Sequence, residues 1–124
     1  MIFGIGTDII DINRIKNLNI SLDKLANRIC TDSEIIEYNN TNNKAGYLAK
    51  KWASKEAISK AWGTGIRSHT TFKNIEIKHN HLGKPFVCFY NKLNDTANEL
   101  NVKCHISISD SDNTIIAYSI IEID

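Results

Sequence analysis

The stretch AGYLAKKWASKEAISKAW, residues 45–62, decides the fold. It holds no proline, and spacings of three and four gather Ala45, Ala49, Trp52, Ala53 and Ala57 on one side, which predicts a long helix with an apolar stripe. Gly63 and Gly65 follow at once, the usual place for a C-terminal glycine cap. Glu56 and Lys60 fall on the same side as the alanines. Burying an unpaired charge is costly, so two charges in an apolar stripe need a reason. Either they pair with each other, in the favoured order of Glu four residues before Lys, or this face lines a site. In the second case the alanines let other backbone or a ligand come close.

Towards the N-terminus, residues 13–38 have the pattern of short helices. Thr31-Asp32-Ser33-Glu34 offers a capping residue with Glu three positions on, just before Ile35 and Ile36. The opening run MIFGIGTDIIDI predicts a strand, with Gly4, Gly6 and Asp8 on one face by two-residue periodicity. Glycine inside a strand marks a bulge or a close approach, so Asp8 is expected where a ligand could reach the backbone.

Towards the C-terminus, a loop over 66–73 leads to a short strand NIEIK, a turn HLGKP at 81–85, a strand PFVCFY and a helix over 91–101. CHISIS then alternates, with Cys104, Ile106 and Ile108 on one face and His105, Ser107 and Ser109 on the other. A turn is expected at 110–113, and TIIAYSIIEI closes a hairpin with apolar residues on both faces. Strands at both ends with helices between them predict the α+β class, a mainly antiparallel sheet around a long central helix, in a single domain over residues 1–124.

Composition narrows the function. Fifteen Lys and Arg against fourteen Asp and Glu give no basic excess for nucleic acid. The apolar start lacks a basic leader and is broken by Asp8 and Asp11, so neither a signal peptide nor a membrane span is expected, and a cytoplasmic protein is. Cys30, Cys88 and Cys104 are odd in number and lie in apolar runs, as reduced core thiols do. A chain of 124 residues is small for an enzyme that builds its cleft alone, which makes self-association plausible.

Asp8 and Glu56 are the candidates for a hard divalent cation, because magnesium takes oxygen ligands and needs only one or two protein carboxylates beside phosphate and water. Lys60, one turn beyond Glu56, would face the same phosphate. His105 is open to three readings: a surface residue, a core histidine or a ligand contact. His79 and His81 are expected in a solvated loop, Lys50, Lys51 and Lys55 on a solvated rim, and Trp52 and Trp62 as packing anchors.

Taken together, GIGTDIIDINRI at 4–15, YLAKKWASKEAISKAWGTGI at 47–66, LGKP at 82–85, and HISISD with IIAYSIIEI resemble the short 4′-phosphopantetheinyl transferases of the holo-acyl-carrier-protein synthase family, almost end to end. The resemblance implies magnesium-dependent transfer of 4′-phosphopantetheine from coenzyme A to a serine of apo acyl carrier protein for fatty acid biosynthesis, releasing adenosine 3′,5′-bisphosphate. It implies Asp8 and Glu56 as metal ligands and Lys60 as the lysine on the phosphates. Gly63, Thr64, Gly65, Lys84, Pro85 and His105 fall in stretches that border coenzyme A. Arg14 matches a basic position facing the acidic carrier protein, and the family is a homotrimer with sites between subunits. The chain departs from the pattern at Lys51, where Arg is usual, at Trp52, where Phe is usual, and at Asp110, where many members have His. Two other readings stand beside it: a non-enzymatic module docking an acidic partner through the Arg14 helix, and a broad-specificity transferase, which this short length disfavours.

Overall fold

The computed structural model describes residues 1–124. In chain order the elements are β1 (Ile2–Asp11), α1 (Ile12–Lys16), α2 (Leu22–Ile29), α3 (Asp32–Asn39), α4 (Lys44–Trp62), β2 (Ile75–His79), β3 (Pro85–Phe89), α5 (Asn91–Glu99), β4 (Lys103–Ser111) and β5 (Thr114–Glu122). The class is α+β and both sheets are antiparallel. One sheet has the order β1-β5-β4, and β2 with β3 forms a separate hairpin. No helix is long and apolar enough to cross a membrane.

Helix α4 lies across the inner face of the three-stranded sheet, and the glycines of β1 explain how closely. A methyl group on Gly4 would lie 2.0 Å from the Ala61 carbonyl oxygen, and one on Gly6 would lie 1.9 Å from that of Ala57. What approaches these glycines is therefore the helix backbone and not a ligand, and Asp8 follows at the next inward step of the strand. Ala53, Ala57 and Ala61 complete this seam and are essentially buried. The helix starts on an Asn43 side-chain cap and ends at Gly63, whose φ of +87° is the left-handed conformation that glycine adopts without strain.

The helix is buried almost all round, because α1, α2 and α3 cover the side facing away from the sheet. Here the structure corrects the expectation of a solvated rim. Lys50 is exposed, but Lys51 and Lys55 are buried. The Lys55 ammonium donates to the Glu34 carboxylate at 2.6 Å, to the Ile29 carbonyl at 2.6 Å and to the Phe72 carbonyl at 2.9 Å. All three of its protons are used. Glu34, equally buried, also accepts the backbone N–H groups of Thr31 and Ile77, both at 2.9 Å. One ion pair thus ties α4 to the end of α2, the start of α3, the 3-10 turn Phe72–Asn74 and β2. Burial pulls the Lys55 pKa below the usual lysine value against the opposing pull of Glu34. Lys51 lies over the Tyr47 ring, 4.9 Å from its centre.

Other expectations stand with small shifts. Thr31 and Glu34 form the anticipated capping box. Trp52 packs on Phe72, and Trp62 lies edge-on between Phe3 and Phe89. All three cysteines are free, but only Cys30 is in the core while Cys88 and Cys104 are half-buried; burial pushes the Cys30 and Cys104 thiols up to about 11. The closing turn is tighter than expected: β4 runs on to Ser111, so Asp110 is a strand residue paired with Ile115. In the closing strand Ile115, Ala117, Ser119 and Ile121 face the core, while Ile116 and Tyr118 remain 45% and 42% exposed. Ile9, opposite Ile116, and Ile5, opposite Ile120, are 62% and 58% exposed, so the outer face of the sheet carries an apolar panel interrupted only by Thr7, which lies opposite Tyr118.

Candidate active site

Asp8 and Lys60 meet because the Gly4–Gly6 seam sets the end of α4 against β1. The Lys60 ammonium donates to the Thr7 carbonyl at 3.0 Å and to the Asp8 carboxylate at 3.2 Å. The Asp8 side chain is 17% exposed and that of Lys60 is 51% exposed, so the lysine stands on the solvent side of the pair. Lys60 makes its ion pair with Asp8, not with Glu56, which removes the simple helical pairing that the sequence left open.

Glu56 lies half-buried one turn before Lys60 on the same side of α4. Desolvation raises its pKa, the Asp8 charge raises it further, and Lys60 and Arg14 oppose both. Glu56 thus feels the charge of a carboxylate from another element, with one lysine beside it and one arginine within electrostatic reach. Arg14 is exposed in the last turn of α1.

The donor set suits a hard cation. No group of three or more His, Cys, Asp or Glu side chains gathers anywhere in the fold, so Asp8 and Glu56 would be the protein's whole contribution. That matches magnesium, which keeps water and phosphate oxygens in its remaining positions. Like charges held together in a partly desolvated place also favour a cation between them.

Of the remaining expected site residues, Gly63, Thr64 and Gly65 adjoin this cluster. The Gly63 N–H donates to the Lys60 carbonyl at 2.9 Å, and the Thr64 hydroxyl donates to the Gly65 carbonyl at 2.8 Å. Lys84, Pro85 and His105 do not join it within the chain. His105 is on β4, two strands from β1, on the outer face of the sheet, where its Nε2 lies 2.6 Å from the Glu122 carboxylate. Lys84 and Pro85 line a cavity of about 370 Å³ beside β4, together with His79 and Ser107. His79 ends β2, and burial lowers its pKa; His81 is in the exposed hairpin turn.

The fold and the cluster define a small α+β enzyme domain with a carboxylate and lysine site between a glycine-bearing strand and a central helix. The sequence profile of the 4′-phosphopantetheinyl transferase superfamily matches residues 4–118, so the chain belongs to that superfamily and is a phosphopantetheinyl transferase. Its relatives agree along their whole length. The holo-[acyl-carrier-protein] synthase of Blochmanniella pennsylvanica is 45% identical, covering 98% of this chain and 99% of that one. That of Dechloromonas aromatica is 38% identical with 98% of each covered. The crystal structure of the Neisseria meningitidis holo-[acyl-carrier-protein] synthase superposes with a TM-score of 0.90 at 40% identity, covering 98% of this chain and 99% of that one. The Bacillus anthracis synthase, solved in complex with CoA (3′,5′-ADP), gives 0.85 at 34% identity over 100% of this chain and 99% of that one.

Proposed function

We propose that this chain, acting as one domain, transfers 4′-phosphopantetheine from coenzyme A to a serine of apo acyl carrier protein, with magnesium, in the cytoplasm and in the service of fatty acid biosynthesis. The observation that carries the reading is the convergence of Asp8, Glu56 and Lys60 from β1 and α4.

Asp8 and Glu56 would hold the magnesium, which when bound neutralises charge on the pyrophosphate. The side chains supply the rest. Lys60 is half exposed and held by only two neutral or singly charged oxygens, so its ammonium can turn to a phosphate and hold it against the incoming hydroxyl. The serine gives its proton to Glu56 or to a water held at the site as the serine oxygen bonds to the β-phosphorus. The bond from that phosphorus to the bridging oxygen breaks, and adenosine 3′,5′-bisphosphate departs with the electron pair. Positioning and charge carry such a transfer, and no covalent enzyme intermediate is needed.

The site is completed by a neighbour in a homotrimer. The apolar panel on the outer sheet face, with Ile5, Ile9, Ile116 and Tyr118 exposed, is the surface that such a ring would cover. The separation of Lys84, Pro85 and His105 from Asp8 supports the same arrangement, since a second subunit can bring its own copies to the cluster. Arg14 stands exposed beside the cluster, where an acidic carrier protein would present its serine.

The direct test incubates apo acyl carrier protein with this protein, coenzyme A and magnesium and weighs the product. A gain of roughly 340 Da that disappears with a chelator is expected. Unchanged mass with fresh reagents overturns the proposal.

A further inference from the structure

Besides the cavity that Lys84 and Pro85 line, a second one of about 350 Å³ opens on the far side of Asp110, bordered by Ile12, Asn43 and Tyr47. The two cavities have two residues in common, Lys50 and Asp110. These two form an ion pair, Nζ to Oδ2 at 3.4 Å, with side chains 49% and 55% exposed. The pair therefore stands as a partition across one polar trough that runs between α4 and β4.

The resemblance sets Lys84 and Pro85 of this trough beside coenzyme A, yet its walls also carry two carboxylates, Asp110 and Asp112. Lys50 and Lys84 are the cations of the trough, and the first is already matched by a carboxylate of the same chain. An exposed ion pair of this kind is weak, held in water and costing side-chain freedom on both partners. A phosphate carries more charge than Asp110 and three or more acceptor oxygens, so it can take Lys50 away. The carboxylate then faces the phosphate as a like charge.

We propose that Asp110 is a tethered anion that competes with a phosphate of coenzyme A for Lys50, so that this pair sets nucleotide affinity and speeds departure of the nucleotide product. The inference rests on the reading of the chain as a coenzyme A-dependent transferase whose trough serves a site shared between subunits. It assigns Asp110 and Lys50 a role in specificity and leaves the chemistry to Asp8, Glu56 and Lys60.

Asp110→Asn keeps the shape and removes the charge. The apparent KM for coenzyme A should fall about two- to fivefold with kcat not raised, and product inhibition by adenosine 3′,5′-bisphosphate should tighten by a similar factor. Calorimetry of coenzyme A binding should show the same gain without turnover. Adding Lys50→Met to Asp110→Asn should erase it, because the asparagine helps only by freeing the lysine. Repeating the series with 3′-dephospho-coenzyme A identifies the phosphate: a gain confined to coenzyme A assigns the 3′-phosphate, and an equal gain assigns the pyrophosphate. An active wild-type enzyme whose KM and binding constant are unmoved by Asp110→Asn sinks this proposal alone. A wild-type protein that transfers nothing sinks the transferase reading instead.

Discussion

Replacing Lys55 with methionine keeps the length of the side chain and removes its charge at the most crowded electrostatic point of the fold. The Lys55 and Glu34 side chains are 0% and 1% exposed, so neither can turn to water when the other is lost. The substitution leaves the Glu34 carboxylate with two backbone N–H partners and no counter-charge, and it takes a donor from the Ile29 and Phe72 carbonyls. Breaking a buried pair in this way costs about 3–5 kcal/mol, against a total of about 5–15 kcal/mol for a typical domain. At roughly 4 °C per kcal/mol for a chain of this size, the melting temperature should fall by about 12–20 °C. Urea melts at one temperature give the free energy directly. Adding Glu34→Gln should recover at least about 2 kcal/mol, since the cost comes from a stranded charge and not from lost volume. A Lys55→Met protein within about 1 kcal/mol of wild type would refute the reasoning, as would a double variant no more stable than the single one.

Three further outcomes follow from the site and its supports. Gly6→Ala forces a methyl group against the Ala57 carbonyl, so it should destabilise by at least about 1–3 kcal/mol and lower transfer beyond what the unfolded fraction explains, measured by melting beside the mass assay. Glu56→Gln should abolish transfer yet melt higher than wild type in metal-free buffer at neutral pH. Because the Glu56 pKa is raised on folding, the wild type loses stability as pH climbs through that pKa; the gap between the two proteins should therefore close below the ordinary carboxylate range, and a gap that widens on acidification would count against it. Ile120→Lys, on the outer face, should dissociate the proposed trimer and lose activity with it in light scattering and assay, whereas Ile121 is fully buried and Ile121→Lys should unfold the chain; a fully active Ile120→Lys monomer would exclude a shared site.

Much of this was legible in the chain because local signals agreed with the fold. The alanine stripe, the Gly63 cap, the Thr31 capping box and the alternation in β4 each depend on residues within a turn or two of one another. Asp8, Glu56 and Lys60 were found through their incongruity, as charges among glycines and alanines. Lys55 was not, because nothing near it in sequence reveals its partners. Glu34, Ile29 and Phe72 lie 21, 26 and 17 residues away, and two of the three contribute only a carbonyl oxygen, which carries no mark of residue type. A signal did exist: Leu48 and Ile58, seven residues before Lys55 and three after it, share its side of the helix and are fully buried, so that side could not be a solvated one. The division into two sheets was equally hidden, since pairing of β1 with β5 spans nearly the whole chain.

The contact of Gly4 and Gly6 with the carbonyls of Ala61 and Ala57 is main chain against main chain. Such a contact has no rotamers, and so no soft coordinate through which a neighbouring change can be absorbed or passed on. Ordinary core surfaces drift by repacking; this one can only hold or part. The spacing between the carboxylate on the strand and the charged groups on the helix is thereby insulated from substitutions elsewhere in the chain.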